Sequence, residues 1–198
     1  MSLSKIVSKA SVIILLFFLI YSCKKKDELI YGTVTDIDGN VYKTIVIGTQ
    51  TWMAENLKVT NYNDSNSIPL VMDNSEWVAL RKDAFCWYNN SEDTYKKVYG
   101  ALYNAYTVSE GKLCPAGWHV PSVTEWETLC TYLGGDTVAG GKLKSTIVWN
   151  SPNTGADNSS GFTALPGGYV ILHNSSNKSA IFLSLSKGVM YFNAECLL

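Results

Sequence analysis

Histidine is nearly missing from this 198-residue chain, which has two, His119 and His173. There is no H-E-x-x-H, C-x-x-C, G-x-S-x-G or G-x-G-x-x-G, so the chemistry those motifs carry finds no support. Residues 135–142 superficially suggest a phosphate loop. Counted from Gly135, however, the lysine position holds Gly141, and Leu143 stands where a magnesium-binding Ser or Thr belongs. Charge is sparse and balanced, with 17% charged residues and a net charge of −1. Apart from one lysine run there is no basic stripe, which excludes nucleic acid as a partner and points to no polyanionic one. What is present is apolar and aromatic: 46% hydrophobic residues, 12 Tyr, 6 Trp and 15 Gly. That composition supports a packed, turn-rich domain and excludes wholesale disorder.

The first 22 residues read as a leader. Lys5 and Lys9 form a positive start, and residues 12–20 are apolar. As a helix this run spans roughly 15 Å, about half a bilayer core, so it reads as a secretory signal rather than a membrane span. The following Ile20-Tyr21-Ser22-Cys23 resembles the bacterial lipoprotein signal, with Cys23 as the lipid-attachment residue. Acyl chains on Cys23 would anchor the protein, each buried methylene contributing about 0.8 kcal/mol. Lys24, Lys25 and Lys26 would lie at headgroup level, each worth about 1 kcal/mol against anionic lipid. With Asp27 and Glu28 after them, they look like the surface-export signal of Bacteroidota lipoproteins. The expected location is the bacterial cell envelope, lipid-anchored in the outer membrane and exposed at the cell surface. Residues 23–32 then form the lipidated cysteine and its tether.

Along residues 32–53, apolar residues at twos and fours predict a meander of two or three strands. Asp38-Gly39-Asn40 and Gly48-Thr49 mark its turns. Residues 61–67 and 89–97 are polar and read as loops. Ser75 is expected to cap a short helix over 76–81, with Trp77 and Leu80 on one face. Residues 85–88 and 98–103 read as strands, and 104–109 as a helical turn. Ser122 with Glu125 forms a capping box for a helix ending at Gly134. Val123, Trp126, Leu129, Cys130 and Leu133 recur on it at helical spacing. Residues 134–141 are glycine-rich, 151–161 form a long polar loop, and 162–172 look strand-like.

Several segments resemble the Fibrobacter succinogenes major paralogous domain. They are residues 34–43, Ile47-Gly48, residues 52–57, Cys86-Trp87-Tyr88-Asn89-Asn90, residues 99–104, residues 113–122 with Glu125-Trp126, and the glycine-containing runs up to Tyr169. The resemblance assigns residues 33–198 to one domain, with a divergent tail over 170–198. It implies an α+β, C-type lectin-like fold of short antiparallel sheets, one or two helices and long loops, related to that of formylglycine-generating enzymes. In the tail the family's Trp-Trp-Ser-Ser stretch and its closing strand are not recognisable. A truncation there would leave sheet edges unpaired. Residues 181–185 and 189–192 read as a hairpin. The family's closing cysteine suggests a disulfide between Cys114 and Cys196.

The remaining candidates for chemistry are few. Asp36, Asp38 and Asn40 imitate the start of a calcium loop, but Val41 and Ile47 occupy its glycine and glutamate positions, so a β-turn is the better reading. His119 reads as a buried, hydrogen-bonded structural histidine. Trp52, Trp118 and Trp126 read as core, while Trp77, Trp87 and Trp149 adjoin polar loops and are candidates for stacking on a sugar. Trp149, Asn153, Asp157 and Asn158 make the candidate ligand-binding loop. Lectin-like domains hold calcium in such loops, which makes Asp157 and Asn158 the calcium candidates; no other cofactor is called for. No catalytic residue is assigned. The expectation is non-enzymatic binding or adhesion at the cell envelope, to a glycan or a cell-surface protein, with the membrane reached through the N-terminal lipid. The alternatives are an oxidase or other enzyme of the formylglycine-generating type and an inactive, truncated paralogue.

Overall fold

A computed structural model describes residues 28–167, 192–193 and 196–198. The leader, Cys23, the lysine run, His173 and all but one residue of the expected tail hairpin lie outside the described residues. Among the described residues, no helix is long and apolar enough to cross a membrane.

β1 (Tyr31–Thr35), β2 (Val41–Ile47) and β3 (Gln50–Met53) form an antiparallel meander in that order. The β1–β2 turn is built by Asp36, whose Oδ1 accepts the Asn40 N–H at 2.8 Å, while Gly39 supplies the left-handed φ of +81°. This is an Asx-bonded β-turn in place of a calcium loop. The buried Asp36 Oδ2 accepts hydrogen bonds from Asn40 Nδ2 and the Tyr42 hydroxyl. β2 buries residues on both of its faces. Tyr42 belongs to one apolar cluster, with Met53, Leu57, Tyr103 and Leu113, and Ile45 and Ile47 belong to a second. In the second cluster Trp52, Trp126 and Phe162 meet ring to ring, with centroids 4.5–5.9 Å apart.

The second sheet contains β4 (Phe85–Trp87), β5 (Ala101–Tyr103) and β6 (Phe192–Asn193), antiparallel with β5 in the centre. Among the described residues, five short α-helices accompany the sheets: α1 (Asn74–Ala79), α2 (Glu92–Tyr99), α3 (Ala105–Ser109), α4 (Val123–Tyr132) and α5 (Asp136–Leu143). The protein is thus α+β with short antiparallel sheets and few helices.

Local sequence explains most helix starts. α4 has the complete capping box: Ser122 Oγ accepts from Glu125 N, and the Glu125 carboxylate accepts from Ser122 N at 2.7 Å. Trp126, Leu129 and Cys130 of this helix, and Leu133 at its cap, are buried, but Val123 is 58% exposed. α1 is capped by Asp73, whose Oδ1 accepts from Glu76 N at 2.8 Å, and not by Ser75. The aspartate two residues earlier takes the acceptor role, so the helix begins and ends earlier than expected.

Two helices lie where the sequence reading has polar or glycine-rich chain. α2 buries no residue; its acidic first turn, basic last turn and Glu92–Lys96 ion pair complement the helix dipole. It stops at Gly100, whose φ of +66° separates it from β5, so residues 98–103 are a helix end and a strand rather than one strand. α5 forms because Ala139 and Leu143 reach the second cluster, and because Gly141 lets the helix approach the backbone of residue 155.

The end of the chain is woven into the core. The Met53 N–H donates to the Cys196 carbonyl at 3.0 Å, and Leu197 exchanges backbone bonds with His119 at 2.8 Å. Cys196 is joined to Cys114 by a disulfide, and both Cys196 and Leu197 are buried. Together with β6 on β5, these bonds occupy sheet positions that a lost tail would leave open.

Candidate functional site

The segment 54–58, immediately after β3, is fastened on two sides. Toward β2, the Ala54 N–H donates to the Lys43 carbonyl at 2.8 Å, and Glu55 Oε2 accepts the Lys43 N–H at 2.7 Å. Toward α2 and β5, Asn56 Nδ2 donates to the Tyr99 carbonyl at 2.9 Å, and the Leu57 carbonyl accepts from Ala101 N at 2.9 Å. Gly100 permits this closeness, since a Cβ there would lie 2.4 Å from the Leu57 oxygen. These bonds, with the pairing of β1 on β2, hold β1, β2 and the last turn of α2 around a cavity of about 310 Å³. That is the small end of the roughly 300–1,000 Å³ range of ligand pockets.

The cavity walls mix polar, aromatic and aliphatic groups: Tyr31, Lys43, Glu55, Asn56, Lys58 and Lys97, with Ala54, Val98, Thr163 and Leu165. The Tyr31 hydroxyl donates to the Gly161 carbonyl at 3.0 Å, which fixes the half-exposed ring at the wall. Lys58 lies over the Tyr42 ring, 4.8 Å from its centroid. The ammonium groups of Lys43 and Lys97 have no ion pair or hydrogen bond among the described residues.

The loop singled out from sequence lends no residue to the cavity lining, but it positions one that does. Asn158 donates from Nδ2 to Thr163 Oγ1 at 3.0 Å and accepts the Thr163 N–H at 2.9 Å. Both residues have positive φ, 48° and 62°, a cost of order 1–3 kcal/mol each that the surrounding bonds sustain. Asn158 therefore positions Thr163, a cavity residue. Asn153 donates to the Ser145 carbonyl at 2.9 Å, and its Oδ1 is buried without a partner among the described residues. Trp149 is half-buried, its indole N–H donating to the Ala164 carbonyl at 2.9 Å. Asp157 is exposed and accepts the Ser159 N–H at 2.9 Å. Among the described residues, no three His, Cys, Asp or Glu side chains are grouped for a metal.

Other candidates are placed elsewhere. His119 is exposed rather than buried, because only its backbone joins the sheet while the ring reaches Glu125 Oε1 at 2.8 Å. Burial pushes the Glu125 carboxyl up, but the Ser122 N–H and hydroxyl and the His119 ring outweigh it and hold it below the usual range. The carboxylate stands between serine and imidazole, so this cluster caps α4 and lacks the serine–imidazole bond of an activated nucleophile. Trp77 and Trp87 are buried, which removes them as sugar-stacking surfaces. The free thiols among the described residues, Cys86 and Cys130, sit in separate apolar clusters. Burial pushes the Cys86 thiol up to about 12 and also raises Cys130, so neither has the lowered pKa of a reactive thiol.

The profile of the Fibrobacter succinogenes major domain matches residues 45–188. The chain belongs to that family. No curated protein matches it, and no solved structure does. The Fibrobacter succinogenes major domain match includes the clamp residues Glu55, Asn56 and Leu57, and stops short of Lys43 on one side and Cys196 on the other. Reasoning from sequence did not single out Tyr31, Lys43, Lys58 or Lys97. They are scattered over more than sixty positions. The linear signals near them are the family-like segments at 34–43, which ends on Lys43, and at 52–57.

Proposed function

We propose that this chain is a cell-envelope lipoprotein whose domain binds a ligand without transforming it, a glycan being the class that suits the site. The observation that carries the reading is the cavity beside segment 54–58, with its half-exposed Tyr31 ring, aliphatic Val98 and Leu165, and free lysine donors. Mixed aromatic and hydrogen-bonding walls suit a sugar, which offers C–H faces to a ring and hydroxyls to donors. The C-type lectin-like arrangement belongs to the same proposal, and two short antiparallel sheets with a well-capped helix support it. The lipid on Cys23 would hold the domain at the outer membrane surface.

A glycan array probed with the full-length chain in detergent tests the binding reading. The expected result is retention of a subset of glycans, weakened by Tyr31→Ala; retention of none would sink it. Palmitate labelling tests the anchor separately: label should enter the wild type and be absent from Cys23→Ala.

A further inference from the structure

We infer that the ligand of this cavity is an acidic saccharide whose carboxylate is held between Lys43, Lys58 and Lys97. The inference rests on the binding reading above and adds the charge class of the ligand. Across the chain, cations and anions nearly cancel, with 16 Lys and Arg against 17 Asp and Glu. At the cavity they do not: three lysines face one carboxylate, Glu55. That carboxylate is engaged with the Lys43 backbone N–H. Among the described residues, Lys96 is paired with Glu92 and Lys112 with Asp64, whereas Lys82, away from the cavity, has no side-chain partner. Lys43 and Lys97 have none among the described residues.

Lys43 comes from β2, Lys97 from α2 and Lys58 from the segment after β3, and the backbone and side-chain bonds of residues 54–57 hold these parts together. A carboxylate entering the cavity is attracted by lysines on more than one of its walls. The site is a cavity with an aromatic wall rather than a flat basic surface, which favours an anion borne on a sugar ring over a bare inorganic ion.

The test uses full-length chain in detergent and three probes: oligogalacturonate, its neutral methyl ester and inorganic phosphate. Oligogalacturonate should bind more tightly than the ester, and salt well above ~0.15 M should weaken it. Lys43→Gln with Lys97→Gln should reduce its affinity roughly tenfold, and Lys43→Arg with Lys97→Arg should restore most of it. Lys82→Gln with Lys112→Gln makes the same change in net charge elsewhere and should have little effect. Thermal melts check that each variant is folded. Equal binding of acid and ester, lost in Tyr31→Ala, would leave the glycan reading intact and overturn the charge inference. Full competition by phosphate at matched concentration would overturn the saccharide assignment. If an array of neutral and acidic glycans gives no binding, the glycan reading itself fails and the inference falls with it.

Discussion

Segments 54–58 and 149–161 are both polar-rich and irregular, yet they treat their polar groups differently. The first is fastened to β2 and β5 largely through backbone bonds, with Glu55 and Asn56 completing the clamp. The cations it gathers come from β2, from α2 and from its own Lys58, and their ammonium groups stay available to a ligand. The second has no ladder of its own, so Asn153 and Asn158 turn inward to satisfy backbone and neighbouring hydroxyl groups. A polar loop without regular structure consumes its own amides. A site is more readily left open where regular elements meet, because their backbones are already satisfied.

Two glycines probe this contrast most strongly. Gly100→Ala places a Cβ 2.4 Å from the Leu57 oxygen at a φ of +66°. It should cost about 3 kcal/mol or more, read in urea melts, and open the cavity. Gly141→Ala meets the Gly155 oxygen at 2.2 Å but has ordinary φ, and Gly155 lies in a loop that can shift. It should cost about 1–3 kcal/mol. Equal losses would mean the 149–161 loop is as rigidly built in as the clamp.

Within the loop, Asn158→Ala should cost about 1–2 kcal/mol, because the Thr163 N–H loses its acceptor. Asp157→Ala, at an exposed carboxylate, should cost about 0.5–1 kcal/mol. Adding Trp149→Ala to Asp157→Ala should disturb ligand affinity less than the paired lysine changes do. The opposite ranking in titrations would move the site to the loop.

The α4 cap lies outside both regions and gives a reference of known chemistry. Ser122→Ala should cost about 1 kcal/mol. The folded Glu125 carboxyl lies below its ordinary 4.5, so its stabilisation is present above that pH and is lost as pH falls through the folded value. Glu125→Gln should flatten the fall in stability below about 4.5. Unchanged acid melts would show that the cap bonds of Glu125 do not depend on its charge.

Legibility in the sequence followed the range of the interactions. The meander, the Asx turn at Asp36, the Ser122 capping box and the burial of Trp126 and Leu129 rest on neighbours within a few residues, and they can be read from spacing. α2 and α5 were obscured, one because it buries nothing and the other because its glycines serve a distant packing partner. Spacing alone left three pairings of Cys86, Cys114, Cys130 and Cys196 open. The family resemblance supplied the Cys114–Cys196 pair, which is bonded across 82 residues of separation.

By itself, then, the sequence determined the α+β class, the strand meander, the capped helix and membership of the family. These depend on local propensity, periodicity and motif order. The tertiary structure alone decided which polar residues remain available. Asn153 and Asn158 turn inward because the irregular chain around them needs partners. Tyr31, Lys43, Lys58 and Lys97 become neighbours because β1 pairs with β2, and because backbone and side-chain hydrogen bonds tie β2 and the end of α2 to segment 54–58. No spacing along a single chain records that convergence, since the bonds from residues 56 and 57 to residues 99 and 101 join distant parts of the chain.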